Sequence, residues 1–293
     1  MTRPLILLLG KNGQVGWELR RTLAPLGNLL ALDYPEIDLT EPIALRRIVL
    51  ENRPAVVVNA AAYTAVDKAE SDTLPAQLIN AKAPGLLAEA AREVGALMVH
   101  YSTDYVYDGT RTAPYVESDA TNPLSAYGRT KLEGDLGVQA SGADHLIFRL
   151  CWVYGARGQN FMLTMQRLAR EREELRVVSD QSGCPTWSRL IAEATAHAIR
   201  QTLSASERSE LSGVYHLAAS SSATWHEFAS RIIELMPEAG RKCQRVEAIP
   251  TSAYPTPARR PAYSVLNCDK LRETFGLQLP HWEESLRLVL DCI

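Results

Sequence analysis

The stretch PLSAYGRTKLEG, residues 123–134, sets a tyrosine and a lysine four apart, Tyr127 and Lys131. On a helix that spacing puts both on one face. A cation beside a phenol favours the phenolate and lowers its pKa. A phenol tuned in this way can exchange a proton near neutral pH. Such pairs are also common on solvated helix faces, so the pair needs company, and two other features supply it. Gly10-Lys11-Asn12-Gly13-Gln14-Val15-Gly16 follows an apolar run and opens a helical pattern. There, glycines let the backbone approach a pyrophosphate and a helix N-terminus receives its charge. Ser102-Thr103-Asp104-Tyr105 closes another apolar run and places the Thr103 hydroxyl at a strand end, where open α/β sheets bind ligands.

Asp33 ends the second apolar run, NLLAL. A carboxylate at that point suits the adenosine ribose hydroxyls and favours NADH. Lys11, inside the glycine loop, suits a 2′-phosphate and favours NADPH. The two residues pull in opposite directions, so NADPH or NADH, with dual or loose specificity, is the cofactor reading. Asn59-Ala60-Ala61-Ala62 ends the third run with small side chains, and Tyr63-Thr64 follows as a loop above the same crevice. Arg259-Arg260-Pro261 offers two planar donor forks to the pyrophosphate of a substrate. A solvated basic loop accounts for those arginines equally well.

Those residues need a frame, and the hydrophobic pattern supplies one. Continuous apolar runs at 5–9, 28–32, 55–61, 96–102 and 145–150 alternate with amphipathic segments at 14–25, 42–51, 76–94 and 123–141. Unbroken apolar strands separated by helices define an α/β doubly wound parallel sheet, Rossmann-like, covered on both faces. Residues 1–150 read as the dinucleotide-binding domain. Residues 151–293 read mainly as a smaller α/β substrate-binding lobe. Within them, helices are predicted at 160–173, 187–203, 224–236 and 282–291, and strands at 175–178 and 214–218. The segment at about 187–217 is expected to return to the first domain. IPTSAYPTPARRPAYSVL, residues 249–266, reads as loop.

With 293 residues, 46% of them apolar and 22% charged, the composition is that of an ordinary globular protein. A net charge of −3 gives no general attraction to nucleic acid or to a membrane surface. An anionic substrate then needs a local basic site. The cysteines, Cys151, Cys184, Cys243, Cys268 and Cys292, form no CxxC pair and argue against a disulfide framework or a zinc site. A reducing, cytosolic setting fits them. The run Leu5–Leu9 is too short for a signal-peptide core, and no stretch approaches the roughly 20 apolar residues of a membrane span.

The blocks GKNGQVGWEL, VNAAAYTAVDKAE, HYSTDYVYDG, SAYGRTKLEG, FRLCWVYG, DQSGCPT and PTSAYPTPARRPAYSVL together resemble the extended short-chain dehydrogenase/reductase family. Within it they resemble the dTDP-4-dehydrorhamnose reductase branch. They run from the first strand to near the last helix. The resemblance implies reduction of the ketone of dTDP-6-deoxy-L-lyxo-4-hexulose, a sugar nucleotide, by hydride from a nicotinamide. It gives Tyr127 the role of proton donor. Lys131 would hold the nicotinamide ribose and depress the Tyr127 pKa, and Thr103 would bind the reacting oxygen. It also implies that Gly13, Gln14, Val15, Asp33, Asp38, Leu39, Ala62, Tyr63 and Thr64 line the cofactor. Asp104 and Trp152 fall at sugar-nucleotide positions, and Tyr105, next to Asp104, is placed with the substrate residues.

Members of this branch can hold magnesium through glutamates at a dimer contact. Glu18 matches one such position, but after Pro185-Thr186 the chain reads Trp187-Ser188-Arg189. An arginine cannot ligate magnesium. Neither the metal nor that form of homodimer is carried over, and a homodimer of another form stays open. Two rivals share much of the pattern. Sugar-nucleotide 4,6-dehydratases place two acids after the threonine, whereas Tyr105 follows Asp104 here. The regulatory subunit of methionine adenosyltransferase is a binding partner, and retention of Thr103, Tyr127 and Lys131 favours an enzyme. A 4-epimerase is disfavoured by the subfamily blocks.

Overall fold

The structure is a computed structural model that describes residues 3–291. Cys292 lies outside the described residues. Five strands come from the first half: β1 (Leu5–Leu9), β2 (Asn28–Leu32), β3 (Val56–Asn59), β4 (Leu97–Thr103) and β5 (His145–Leu150). With β10 (Gly213–His216) they form one parallel sheet in the order β10-β5-β4-β3-β1-β2. The unbroken apolar runs have a direct cause. Side chains alternate between the two faces of a strand, and both faces are covered. Ile6 and Leu8 pack in one core with Leu19 and Ile191. Leu7 and Leu9 pack in the other with Leu45 and Leu87. Each such burial stabilises by about 1.5–3 kcal/mol.

The first of these faces carries α1 (Gln14–Thr22), α7 (Ser188–Ser204) and α9 (Asp269–Phe275). The other carries α2 (Pro42–Asn52), α4 (Ala83–Val94) and α5 (Ala126–Ala140). The strand order reverses between β1 and β3, and the carboxyl ends of such neighbouring strands open a crevice.

The helix predicted over 76–94 is composite. A short α3 (Thr73–Ala76) leads into a wide π-type turn, Gln77–Lys82, before α4. Pro84 has no N–H to offer the Asn80 carbonyl, and that carbonyl packs on α5 so closely that a Cβ on Gly134 would lie 2.2 Å from it. The helix predicted from 123 begins at Ala126, because Ser125 Oγ accepts the Gly128 N–H at 3.1 Å and caps it.

The second lobe has its own core of Tyr154, Met162, Leu175, Phe228, Ile232 and Leu286. It is built from α6 (Phe161–Glu171), α8 (Trp225–Leu235), α10 (Trp282–Leu290) and a parallel pair, β7 (Glu174–Val178) with β12 (Arg245–Ile249). Two-residue strands close it: β6 (Val153–Tyr154) beside β9 (Thr186–Trp187), and β8 (Ser182–Gly183) beside β11 (Ala223–Thr224). No helix of the described residues is long and apolar enough to cross a membrane.

Candidate active site

A cleft of about 620 Å³ lies over the carboxyl ends of β1, β3 and β4. Gly10, Gly13, Gln14 and Val15 form one wall, with Asp33, Ala62 and Thr64 beside them. Thr103, Asp104, Tyr105, Tyr127, Lys131 and Trp152 form the opposite side. Residues scattered over half the chain therefore share one cavity. Lys11, Gly16, Asp38, Leu39 and Tyr63, placed at the cofactor from the sequence, lie off the cleft wall.

The glycine loop is a cradle by construction. A Cβ on Gly10 (φ +84°) would lie 2.5 Å from the Ala61 backbone nitrogen, and one on Gly16 would lie 1.8 Å from the Gly10 carbonyl oxygen. Gly16 thus packs the helix against the loop, off the wall, while Gly13 lines the cleft at the helix start, where a Cβ would meet the Gly10 carbonyl oxygen only at 3.5 Å. No side chain caps α1 and no acid stands in its first turn, so its N–H groups and positive dipole end are left for an anion. These residues fit a dinucleotide pyrophosphate. Asp33 Oδ2 accepts the Asn12 N–H at 2.9 Å, which ties the loop to the end of β2. Lys11 is paired with Glu36, so both candidate determinants of cofactor choice are already engaged. Asp38 Oδ1 accepts from the Thr40 N–H and hydroxyl, and Leu39 is buried in the sheet core.

Tyr127 and Lys131 share the cleft face of α5, and Thr103 ends β4. Tyr127 is pushed up to about 12, chiefly by burial; a hydrogen bond with Thr103 opposes this, and Asp104 and Asp135 add to it. The expectation that Lys131 depresses the Tyr127 pKa is corrected here: Lys131 is not among the groups that move it. The lysine Nζ instead donates to the Tyr101 carbonyl at 2.5 Å and lies 3.3 Å from His100 Nε2. Burial lowers Lys131 to about 8, and Asp135 opposes that shift. A lysine turned to the strand below, and easily neutral, is a weak perturber of a phenol above it. In this state Tyr127 is a protonated phenol, a donor.

Thr103 Oγ1 accepts the Tyr105 N–H at 3.2 Å and donates to Asp104 Oδ1 at 3.1 Å. Asp104 is buried and raised to about 6 by that burial, against hydrogen bonds from Ser264, Cys151 and Thr103. Tyr105 stands edge-on to Tyr127, ring centres 5.9 Å apart.

Some contributors have no sequence signature. Trp225, at the start of α8, stacks on Trp152 at 3.4 Å and 7°. Trp152 is held in the left-handed region (φ +43°), and a Cβ on Gly183 would collide with its ring at 2.4 Å. Asn80 fixes the loop after β3, accepting from Tyr63 N–H at 2.9 Å and donating to its carbonyl at 3.0 Å. Asn160 Nδ2 donates to Gln14 Oε1 at 2.9 Å and joins the second lobe to the glycine loop. The helix predicted at 224–236 is α8, and a capping box, Thr224 with Glu227, fixes its start.

Arg260 lies outside this cleft and lines a second one of about 790 Å³, which meets the first at Trp225. Its Nη2 donates to Asp67 at 2.8 Å. Arg259 is exposed and lines neither cleft. Of the positions weighed for magnesium, Glu18 is near Arg21, and Arg189 pairs with Glu193. No group of three or more metal-binding side chains occurs among the described residues.

Fold and site define a dinucleotide-dependent oxidoreductase of the short-chain dehydrogenase/reductase kind. A family model described as RmlD substrate binding domain matches residues 3–293, and the chain belongs to that family. The chain is similar to a dTDP-4-dehydrorhamnose reductase of Burkholderia thailandensis, 52% identical over 290 residues with 97% of each chain covered. It superimposes on the crystal structure of a dTDP-4-dehydrorhamnose reductase from Clostridium acetobutylicum with a TM-score of 0.91, 38% identity and 98% and 99% of the two chains covered. A third relative, a dTDP-4-dehydrorhamnose reductase from Bacillus anthracis in complex with NADP, gives a TM-score of 0.89 at 34% identity over 100% of both chains.

Proposed function

We propose that this enzyme reduces the 4-keto group of dTDP-6-deoxy-L-lyxo-4-hexulose to give dTDP-L-rhamnose, with NADPH or NADH as reductant. The observation that carries the reading is the convergence of Thr103, a protonated Tyr127 and Lys131 on one cleft whose other wall is a helix N-terminus that no side chain caps. When bound, the reduced nicotinamide supplies the hydride.

The chain's own residues do the rest. The α1 N-terminus and the Gly10–Gly16 loop take the pyrophosphate, and Asp33 sits at the adenosine end. Thr103 Oγ1 and the Tyr127 hydroxyl bracket the ketone oxygen, where negative charge grows as the carbonyl is reduced. Tyr127 then gives its proton to that oxygen. Asp104, Tyr105 and Trp152 hold the sugar. The nucleotide arm extends past Trp225 into the second cleft, where Arg260 stands near its diphosphate. The test supplies the dTDP-linked 4-keto sugar with NADPH or NADH and follows loss of the nicotinamide absorbance. Sugar-dependent consumption supports the reading. Tight dinucleotide binding without consumption would favour a nucleotide-binding regulatory subunit instead.

A further inference from the structure

Under the cleft, Lys131 meets His100, and the contact depends on which ring nitrogen of the histidine holds the proton. Its neighbours decide this. The backbone N–H of Ala61 can only donate, and it reaches Asn59 Oδ1 at 3.3 Å. That turns the NH2 of Asn59 toward His100, with Nδ2 3.4 Å from Nδ1. Nδ1 is therefore the acceptor, and a neutral ring carries its proton on Nε2. The ring is neutral, because complete burial, helped by Lys131, holds His100 well below the usual histidine range.

Nε2–H therefore points at Lys131 Nζ, 3.3 Å away, and that contact is favourable only if Nζ offers a lone pair. A neutral amine has one lone pair and two N–H groups. The lone pair meets His100, one N–H meets the Tyr101 carbonyl, and the other is left for the cleft. An ammonium has three N–H groups and no lone pair, so its third hydrogen would confront Nε2–H. The structure holds an alternative partner for His100. Asp135 Oδ1 lies 3.9 Å from Nε2 and is a buried oxygen with no hydrogen-bond partner. The other oxygen of Asp135 accepts from Ser102 Oγ at 2.8 Å and from Arg149 Nε at 3.4 Å.

We propose that His100 is a positioning residue that serves both protonation states of Lys131. Its Nε2–H is shared with the Nζ lone pair while Lys131 is neutral, and turns to Asp135 Oδ1 when Lys131 takes up a third proton. The lysine exchanges that proton with the cleft. None passes through the imidazole, which keeps its single proton throughout. The other ionisable groups around Lys131 have partners elsewhere. Asp104 accepts from Thr103 and Cys151, Arg149 also donates to the Tyr107 hydroxyl, and Tyr127 faces the cleft.

The full-length protein labelled with nitrogen-15 gives the test. The chain has six histidines, and the ring signals of His100 are assigned by their loss in His100→Gln. The expected spectrum shows a protonated Nε2 and an unprotonated Nδ1 from pH 6 to 10, while the Nε2–H resonance moves with a midpoint near about 8, where Lys131 titrates. In Lys131→Met that movement disappears. A proton on Nδ1, a doubly protonated ring at neutral pH, an Nε2–H signal indifferent to the Lys131 titration, or a movement that survives in Lys131→Met would each overturn the proposal. The ring tautomer is independent of the proposed reaction, so its failure and the failure of the reductase reading are separable.

Discussion

Tyr127 shows what residue types can and cannot reveal. Its spacing from Lys131 was legible, because helix periodicity alone puts the two on one face. Its proton affinity was not legible, because burial sets it and burial belongs to the assembled fold. Substitution by phenylalanine removes the proton and little volume. Tyr127→Phe is expected to lower kcat by about 10²–10⁴-fold and to leave dinucleotide affinity, measured by fluorescence titration, near wild type. Full activity in this variant would remove Tyr127 from the chemistry. The pH dependence follows from two shifts with different windows. Tyr127 stays protonated to about 12, whereas Lys131 loses its proton as pH rises through about 8. Below about 8 Lys131 is an ammonium that can restore the proton Tyr127 gives up, and above it that source is lost, so kcat/KM for the keto sugar is expected to be highest below about 8 and to fall above it. A profile flat to pH 10 would show that the charge on Lys131 is irrelevant. His100 and Asp135 gave no signal in the sequence. One reads as a strand residue and the other as a helix residue, and only the pairing of β4 beneath α5 brings them to the lysine.

At the scale of elements, the glycine loop and the five buried strands were readable because each has a local cause. Strands buried on both faces are apolar throughout, and a helix that must approach a loop closely carries glycine. Gly16→Ala tests the second cause. Its Cβ would lie 1.8 Å from the Gly10 carbonyl, and dinucleotide affinity is expected to weaken by at least about tenfold, or ~1.4 kcal/mol. Unchanged affinity would mean that the cradle is softer than its geometry. Elements whose stability comes from distant partners were missed. β12 is a pentapeptide, RVEAI, with two charges among its five residues, and it becomes a strand by pairing with β7. α9 has only seven residues and is held by packing Leu271 and Phe275 onto the sheet core. The π-type turn before α4 depends on a tertiary contact with α5. The capping box of α8 was a local signal, and it predicts that Thr224→Ala costs about 1 kcal/mol, read as a lowered Tm; no change would assign the helix start to packing alone.

The whole molecule joins a six-stranded parallel sheet to a second hydrophobic core, and the joints between them are the part least legible in the sequence. The second cleft, the Trp152–Trp225 stack and the Arg260–Asp67 pair each combine residues far apart in the chain, and nothing local marks Trp225 as a partner of Trp152. Arg260 and Trp152 are the residues of these joints singled out from sequence, though not their partners. Arg260→Ala is expected to raise KM for the sugar nucleotide by roughly tenfold, the loss of one charge-assisted contact, with dinucleotide affinity unchanged. An equal loss for both ligands would instead make Arg260 a support of the fold. The central claim, that these parts together reduce a nucleotide-linked 4-keto sugar, is tested most directly by turnover. Purified protein is given the dTDP-4-keto sugar with NADPH and then NADH, and the nicotinamide absorbance is followed with the product identified. The account predicts consumption that requires the sugar nucleotide, proceeds with both cofactors and ends in the 4-hydroxy sugar. Bound cofactor with no consumption from either would contradict it.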